Sequence, residues 1–138
     1  MRIVKYGVRE DSGGAGRYRG GLGIERVYQL SAPAFITFSL ERKVTPPWGL
    51  EGGRDGAVNG VEILSPDGAT RSVRKATQHP IAAGERVRIL TGGGGGYGPP
   101  TARERDAVLR DVAEGYVSAE AARRDYGVST NDGAAPRP

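Results

Sequence analysis

The stretch GGGGGYGP at residues 92–99 contains five consecutive glycines, and two more glycine-dense stretches precede it, SGGAGRYRGGLG at 12–23 and PPWGLEGG at 46–53. The chain has 23 glycines in 138 residues. Glycine loses more backbone freedom on folding than any other residue, so ordered glycines indicate positive φ angles or close backbone approach. Flexible linkers carry Ser and Gln more often than Tyr, Trp and Arg. These three stretches, the first, second and third glycine blocks, therefore predict shaped loops.

Apolar and alternating segments around the blocks predict β-strands. Within residues 34–42, Phe35 lies on one face of the predicted strand and Ile36 and Phe38 on the other. The sequence SPDG at 65–68 is a strong turn signal between two strands and predicts a hairpin. The predicted strands are 1–6, 24–30, 34–42, 61–64, 70–73 and 85–90.

After the prolines at 99–100 the sequence predicts two short helices. Thr101 and Glu104 form a candidate capping box for the first helix. The second helix is predicted to begin at Ser118 and to end before Gly127. The fold class is therefore mainly β and α+β overall, with antiparallel strands, long Gly-rich loops and a short C-terminal helical pair. The expected division is a β-rich Gly-loop domain at 1–100, the helical pair at 101–128 and a disordered tail at 129–138.

Composition limits the classes of function. Apolar residues other than Gly make up 37% of the chain, and only the addition of Gly brings it into the usual range of roughly 45–50%. Because Gly has no side chain to bury, the side-chain core is thin and we expect support from partner subunits. The chain has no cysteine, which excludes disulfides and thiolate metal sites and fits the cytoplasm. No apolar run approaches the roughly 18 residues of a membrane helix. The net charge of +4 comes from arginines interleaved with acids, which favours a mixed-charge surface over nucleic-acid binding.

Several motifs allow a functional and a structural interpretation. The third block could cradle a phosphate with its amides, but no Gly-Lys-Ser/Thr follows it, so a close-packed turn with Tyr97 as a packing residue is favoured. Arg17 and Arg19 could clamp a carboxylate or phosphate from one face of an extended segment, or could be solvated or form inter-subunit ion pairs. Trp48, on a rigid PPWG turn, is either an interface or pocket anchor or a core residue.

Histidine and serine patterns give no catalytic or metal site. His79 is the only histidine and precedes a proline, which favours a structural role. Without cysteine, one histidine is too few for a zinc site built from this chain alone. No Gly-x-Ser-x-Gly element is present, so a nucleophilic serine is not predicted.

The three blocks in this order resemble the C-terminal part of the hydantoinase B/oxoprolinase family. The ending resembles it too, with RDV at 110–112, GYVS at 115–118, EAA at 120–122 and DYGV at 125–128. The resemblance covers roughly residues 3–129. Two departures stand out: Glu41-Arg42 replaces a frequent Asp-Arg pair, and Pro99 stands where members usually carry Asp. Both departures favour a supporting role over independent catalysis.

Members of this family are usually several times longer, so the chain resembles a separate small subunit of an acetophenone-carboxylase-like complex. The resemblance implies ATP-driven activation of a ketone and bicarbonate, followed by C–C bond formation, by an enzyme whose isolated small subunit is inactive. ATP, and a divalent metal if one is used, are expected on partner subunits. The expected partners are larger hydantoinase A-like and hydantoinase B-like subunits. The alternatives are a piece of an ATP-dependent hydantoinase or 5-oxoprolinase acting on a cyclic amide, and a non-catalytic assembly module.

The resemblance and the residue types together give a set of candidate site residues. No catalytic residue or metal ligand is assigned. Trp48 and Tyr97 are candidates for an interface or a pocket. The candidates for contact with phosphate or carboxylate groups are Arg17, Arg19, Arg42 and the backbone of Gly94 and Gly95.

Overall fold

Seven β-strands form two antiparallel sheets in the computed structural model, which describes residues 1–130. The large sheet has the strand order β1-β2-β7-β4-β5, and the small sheet pairs β3 with β6. The strands are β1 (Arg2–Val8), β2 (Ile24–Gln29), β3 (Ala34–Phe38), β4 (Gly60–Leu64), β5 (Thr70–Ser72), β6 (Ala76–Ile81) and β7 (Arg86–Leu90).

A hydrophobic core lies between the two sheets. Val61 and Ile63 of β4 and Val87 of β7 contribute from the large sheet, and Phe38 and Ile81 contribute from the small sheet. All five side chains are buried. Burying a side chain of this size stabilises a fold by about 1.5–3 kcal/mol. The small sheet therefore holds its place by covering the β4 and β7 part of the large sheet.

Each of the six strands predicted from the sequence is present. In β3 the predicted faces are confirmed, because Ile36 and Phe38 pack in the core while Phe35 is 74% exposed. The strand ends at Phe38, four residues earlier than predicted. Arg42 adopts a φ of 52°, a left-handed conformation that is incompatible with an extended strand.

Strand β6 was missed because its sequence, ATQHPI, is polar and contains Pro80. Proline lacks an N–H group and is confined to edge strands. It is tolerated here because β6 pairs with β3 alone. His79 lies opposite Ile36 in this pair, and within residues 1–130 no group of three or more His, Cys, Asp or Glu side chains could hold a metal ion.

Two helices, α1 (Arg105–Ala113) and α2 (Ala119–Tyr126), follow the strands and complete the predicted α+β class. Helix α2 has the predicted ends: the Ser118 hydroxyl accepts a 3.0 Å bond from the Ala121 N–H, and Gly127 has a φ of 68°. Among residues 1–130 no helix has the length and apolar character to cross a membrane.

The predicted capping box of the first helix is wrong. Thr101 lies inside a 3-10 turn, Pro100–Ala102, and Arg103 is extended with φ −76° and ψ 135°. The extended residue separates the turn from α1, so Glu104 becomes the N-cap.

The helical pair packs against the first glycine block. Asp11 accepts a 2.8 Å bond from the Ser118 N–H through its side chain and donates its own N–H to the Tyr116 carbonyl at 3.1 Å. The apolar cluster between the first block and the helices is Ala15, Val108, Val117, Ala121, Ala122, Tyr126 and Val128.

The predicted division of the chain at residue 100 stays a prediction. Residues 131–138 of the predicted tail lie outside the described residues.

The third glycine block lies at the centre of a bundle of backbone segments. Residues 12–21 pass it on one side and residues 47–57 on the other, and we call the whole the glycine bundle. Its amides donate to these segments and its carbonyls accept from them. Examples at 2.8–2.9 Å are Gly14 N–H to Gly94 O, Gly94 N–H to Gly21 O, Leu50 N–H to Gly96 O and Gly96 N–H to Arg54 O.

Close backbone approach explains most of the glycines in the bundle. A Cβ atom at Gly93 would lie well under 3.0 Å from the Ser12 carbonyl, and one at Gly95 equally close to the Trp48 carbonyl. Real Cβ atoms essentially never show such distances. Gly93 and Gly95 are therefore required because no side chain fits beside them, whatever their φ angles.

We predict that Gly20→Ala and Gly21→Ala, two adjacent substitutions in the first block, differ sharply in stability. A Cβ at Gly20 would lie under 3.0 Å from the Gly94 carbonyl, whereas nothing lies within 4 Å of a Cβ at Gly21. Gly20→Ala should lower the free energy of unfolding by about 3 kcal/mol or more. Gly21→Ala should change it by less than about 1 kcal/mol. Denaturant unfolding followed by circular dichroism measures both, and equal stabilities would contradict the packing of the bundle.

Candidate functional site

All three blocks carry large exposed hydrophobic side chains, one each in the first and third blocks and two in the second. Tyr97 pairs through its backbone with Tyr18 on one side and with Leu50 on the other. Paired residues point to the same face, and the two tyrosine ring centroids lie 6.3 Å apart. Trp48 lies two residues before Leu50. We call Tyr18, Trp48, Leu50 and Tyr97 the aromatic end.

The aromatic end is exposed. Trp48 is 66% exposed and Tyr97 is 49% exposed, so the core interpretation of Trp48 is wrong because its ring lies outside the packed interior. Apolar surface of this kind marks binding sites in soluble proteins, and Trp and Tyr are enriched among residues that dominate interfaces. The interface or pocket role of these two residues stays a prediction, which their exposure favours.

Arg19 forms an ion pair within its own chain. Its guanidinium donates to both carboxylate oxygens of Asp111, with Nε–Oδ2 at 3.0 Å and Nη2–Oδ1 at 3.3 Å. Arg103 binds the same carboxylate at 2.8 Å. The side chains of Arg19 and Asp111 are only 15% and 10% exposed. The carboxylate that Arg19 clamps is therefore Asp111 of helix α1, which favours a structural role for Arg19.

This ion cluster fastens the helices to the first block. Asp111 is buried on α1, and Tyr126 of α2 is buried beside the same arginines. Burial raises the pKa of the Tyr126 phenol more than the arginines lower it, so this side chain stays neutral at physiological pH. The cluster thus joins both helices to the bundle through charge and apolar packing together.

The other two candidate arginines lie at opposite ends of the third block. Arg17 donates its N–H to the Gly98 carbonyl at 3.2 Å, and its guanidinium lies 5.6 Å from the Tyr18 ring centroid. Arg42 lines a cavity of about 220 Å³ together with Gly92 and Gly93. Because the three predicted arginines occupy three different places, they do not form one clamp for a small anion.

Asn59 organises the cavity beside Arg42. Its N–H donates to the Arg42 carbonyl at 3.0 Å, and its side-chain amide donates to the Glu41 carbonyl at 2.6 Å. Its side-chain oxygen accepts from the Gly92 N–H at 2.6 Å. Asn59 therefore fixes the loop that carries Arg42 against the third block. A lone Asn in a loop gave no sequence signal for this role.

Arg9 has a similar supporting role that the sequence did not reveal. It donates to the Val58 carbonyl at 2.7 Å and to the Thr91 carbonyl at 3.1 Å. Burial, with a smaller contribution from nearby Arg88, lowers the pKa of its guanidinium. The side chain therefore ties the segment before β4 to the residue that precedes the third block.

The backbone of the third block does not fit an anion such as the phosphates of ATP. The Gly94 N–H donates to Gly21, and the N–H groups of Gly93 and Gly96 donate to Ala57 and Arg54. Gly95 packs directly against the backbone of Trp48. This packing leaves no concave surface of free amides, so Gly94 and Gly95 fit a structural role.

The sequence model of the hydantoinase B/oxoprolinase family matches residues 1–100 of this chain, more than half of its length. The chain belongs to the hydantoinase B/oxoprolinase family. This confirms the resemblance described from the three glycine blocks. The family match covers all seven strands and the whole glycine bundle, and it ends where the helical segment begins.

Two relatives show how much of a longer protein of this family the chain represents. An uncharacterized protein of Methanocaldococcus jannaschii is 40% identical over 128 residues, which cover 93% of this chain and 23% of that protein. The caprolactamase subunit beta of Pseudomonas jessenii is 35% identical over 138 residues, covering 91% of this chain and 22% of that subunit. This chain therefore spans less than a quarter of the length of either relative.

Two solved structures share the fold. The crystal structure of the ATP-dependent caprolactamase from Pseudomonas jessenii matches with a TM-score of 0.73 and 32% identity, over 92% of this chain and 23% of that one. The nucleotide-free structure of an acetone carboxylase, from work on ATP-dependent acetone carboxylation, also matches with a TM-score of 0.73. Its identity is 22% over 91% of this chain and 21% of that one, which shows a common fold.

We predict that Arg17→Ala and Arg19→Ala have different effects on the free energy of unfolding, because Arg17 is exposed and Arg19 is paired with a buried carboxylate. Arg19→Ala leaves the buried Asp111 carboxylate with Arg103 alone, and should lower the free energy of unfolding by about 2 kcal/mol or more. Arg17→Ala should change it by less than about 0.5 kcal/mol. Denaturant unfolding of both variants provides the measurement. An Arg19→Ala variant as stable as the Arg17→Ala variant would show that Arg19 does not hold the helices.

Proposed function

We propose that this chain completes the hydantoinase B-like part of a multisubunit, ATP-dependent enzyme. Its family membership and its fold likeness to caprolactamase over 92% of the chain carry the proposal. The chain spans 22–23% of its relatives, so the remainder would come from a larger hydantoinase B-like portion, with a hydantoinase A-like subunit beside it. ATP, and any divalent metal, would bind on these larger partners in the cytoplasm.

The reaction that we favour is ATP-driven opening of a cyclic amide. Caprolactamase, named for its action on a lactam, is 32–35% identical to this chain. Acetone carboxylase is 22% identical, a level at which the likeness concerns the fold. Carboxylation of a ketone of the acetophenone type with bicarbonate, the reaction implied by the resemblance of the three glycine blocks, is the second candidate.

Within the complex, this chain would act as a scaffold that presents one exposed cation at each end of the third block, each to a site shared with a partner subunit. Arg17 and Arg42 are exposed, and an arginine binds phosphate or carboxylate groups through a planar fork of donors. We do not propose this role for Arg19, because its side chain is paired with Asp111. No residue of this chain is proposed to form or break a bond with the substrate.

Reconstitution of the complex tests this proposal. The larger hydantoinase A-like and B-like polypeptides are purified with and without this chain, and ATP hydrolysis is followed with a lactam, a hydantoin, 5-oxoproline, and acetophenone with bicarbonate. We expect turnover of a cyclic amide with the complete complex only, and none with the isolated chain. Turnover of acetophenone with bicarbonate, and of none of the cyclic amides, would show that the enzyme is a carboxylase. Full turnover without this chain would refute its role.

The arginine assignment is tested on the same complex. Arg17→Ala and Arg42→Ala should each lower kcat/KM at least tenfold, because a charge-assisted contact with an anion is worth about 1.5–3 kcal/mol, while co-purification is unchanged. Arg74→Ala removes an exposed arginine between β5 and β6, serves as the control and should keep turnover near the wild-type level. Loss of co-purification instead of turnover would favour a purely assembling module.

A further inference from the structure

The two edges of the large sheet differ in how they are protected. Natural proteins blunt sheet edges with short strands, charges, prolines or a covering segment. The edge strand β5 has three residues, all polar and exposed, and β6 of the small sheet carries Pro80. The edge strand β1 has seven residues and exposes large apolar side chains: Ile3 57%, Val4 39%, Tyr6 61% and Val8 47%.

The apolar side chains of β1 continue a face that is buried elsewhere in the same sheet. Ile3 pairs with Tyr28, Tyr28 with Val87, and Val87 with Ile63, so these four residues form one row on one face. Ile63 and Val87 are 0% and 1% exposed beneath the small sheet. Ile3, at the other end of the row, is 57% exposed. The cover supplied by the small sheet therefore stops before it reaches β1.

The opposite face of the sheet is already satisfied by ion pairs. Lys5 of β1 binds Glu25 of β2 at 2.7 Å, and Arg88 of β7 binds Glu25 at 2.7 Å and Glu62 of β4 at 3.1 Å. Charges of alternating sign thus cross four strands. Because the charged groups of this face are paired with one another, it needs no further partner. A partner is expected instead on the apolar face and along the open edge of β1.

We propose that β1 docks a β-strand from the larger hydantoinase B-like portion of the enzyme, which pairs with its edge and covers Ile3, Tyr6 and Val8. Strand addition of this kind uses the outward backbone groups of an edge for affinity and side-chain pockets for specificity. A bulge interrupts β1 between Ile3 and Lys5, so the paired stretch is expected at residues 5–8. This inference rests on the proposed function.

The length of the relatives argues for this occupant. This chain covers 23% of the Methanocaldococcus jannaschii relative and 22% of caprolactamase subunit beta, so more than three quarters of each relative lies outside the part matched here. An apolar sheet face that stops at an open edge is where such a neighbouring portion would continue the core. The docking surface lies in the segment 1–100 that the family model matches.

Charge argues against a second copy of this chain as the occupant. The sequence of β1, RIVKYGV, carries Arg2 and Lys5 and no acidic residue. Arg26 stacks on Tyr6 at 4.7 Å and adds a third cation to this edge. Pairing β1 with another β1 would bring these like charges together, and like charges directly opposite one another destabilise a sheet. The partner strand is therefore expected to be apolar with acidic residues.

The test compares Val8→Lys with the matched control Phe35→Lys. Val8 lies on β1, whereas Phe35 is an exposed apolar residue of a strand in the small sheet, 74% exposed. The probe is the purified hydantoinase B-like polypeptide from the same organism, with its binding to each variant measured by calorimetry. Val8→Lys should raise Kd at least tenfold and Phe35→Lys less than twofold. Thermal unfolding of each free variant confirms that both are folded.

Hydrogen exchange of the wild-type chain gives a readout that needs no substitution. The amides of residues 5–8 should exchange more slowly in the complex than in the free chain. Unchanged exchange together with an unchanged Kd for Val8→Lys would overturn the docking site and leave the proposed function standing. Failure of the wild-type chain to bind the larger polypeptide would overturn both. Slower exchange of the β1 amides in a dimer of this chain would show that a second copy, and not the hydantoinase B-like portion, pairs with β1, and would refute the proposal.

Discussion

The fold depends on direct contact between backbones in the glycine bundle. The third block is surrounded so closely that Gly93 and Gly95 have no room for a Cβ atom. Backbone hydrogen bonds take the place that side-chain packing has elsewhere, which explains how a chain with 37% apolar residues forms a fixed structure. The strands enter the bundle from one side, and the helices pack on it through Ala15 and the Arg19–Asp111 pair.

The same contact determines what the chain can contribute to an enzyme. Amides that are bonded to neighbouring carbonyls are not free to hold phosphate, so the bundle has a supporting role. The side chains that are available for binding lie at its two ends. The aromatic end and the cavity beside Arg42 are those ends. Together with the open edge of β1, they expose apolar and charged side chains, as expected for one part of a larger assembly.

Local patterns in the sequence predicted much of this fold, but the contacts between residues distant in the sequence could not be predicted from such patterns. The alternation at Phe35 and Ile36 and the caps of α2 depend on neighbours in the chain, and both are confirmed. Arg19 was a candidate for contact with an external anion, and its ion pair with Asp111 could not be predicted because the two residues lie 92 positions apart in the sequence. Strand β6 was missed because Pro80 is acceptable only once β6 is known to be an edge strand. The glycine blocks were recognised as shaped, but their packing against one another needed the structure.

Residue-resolved amide hydrogen exchange across the glycine blocks tests the central claim most directly. The account predicts that the amides of Gly14, Gly94 and Gly96, which lie outside every helix and strand, exchange as slowly as those of the central strand β7, because all three donate to backbone carbonyls inside the bundle. Exchange as fast as that of the exposed turn residue Asp67 would mean that the blocks are mobile loops, and would contradict the bundle as the support of the fold.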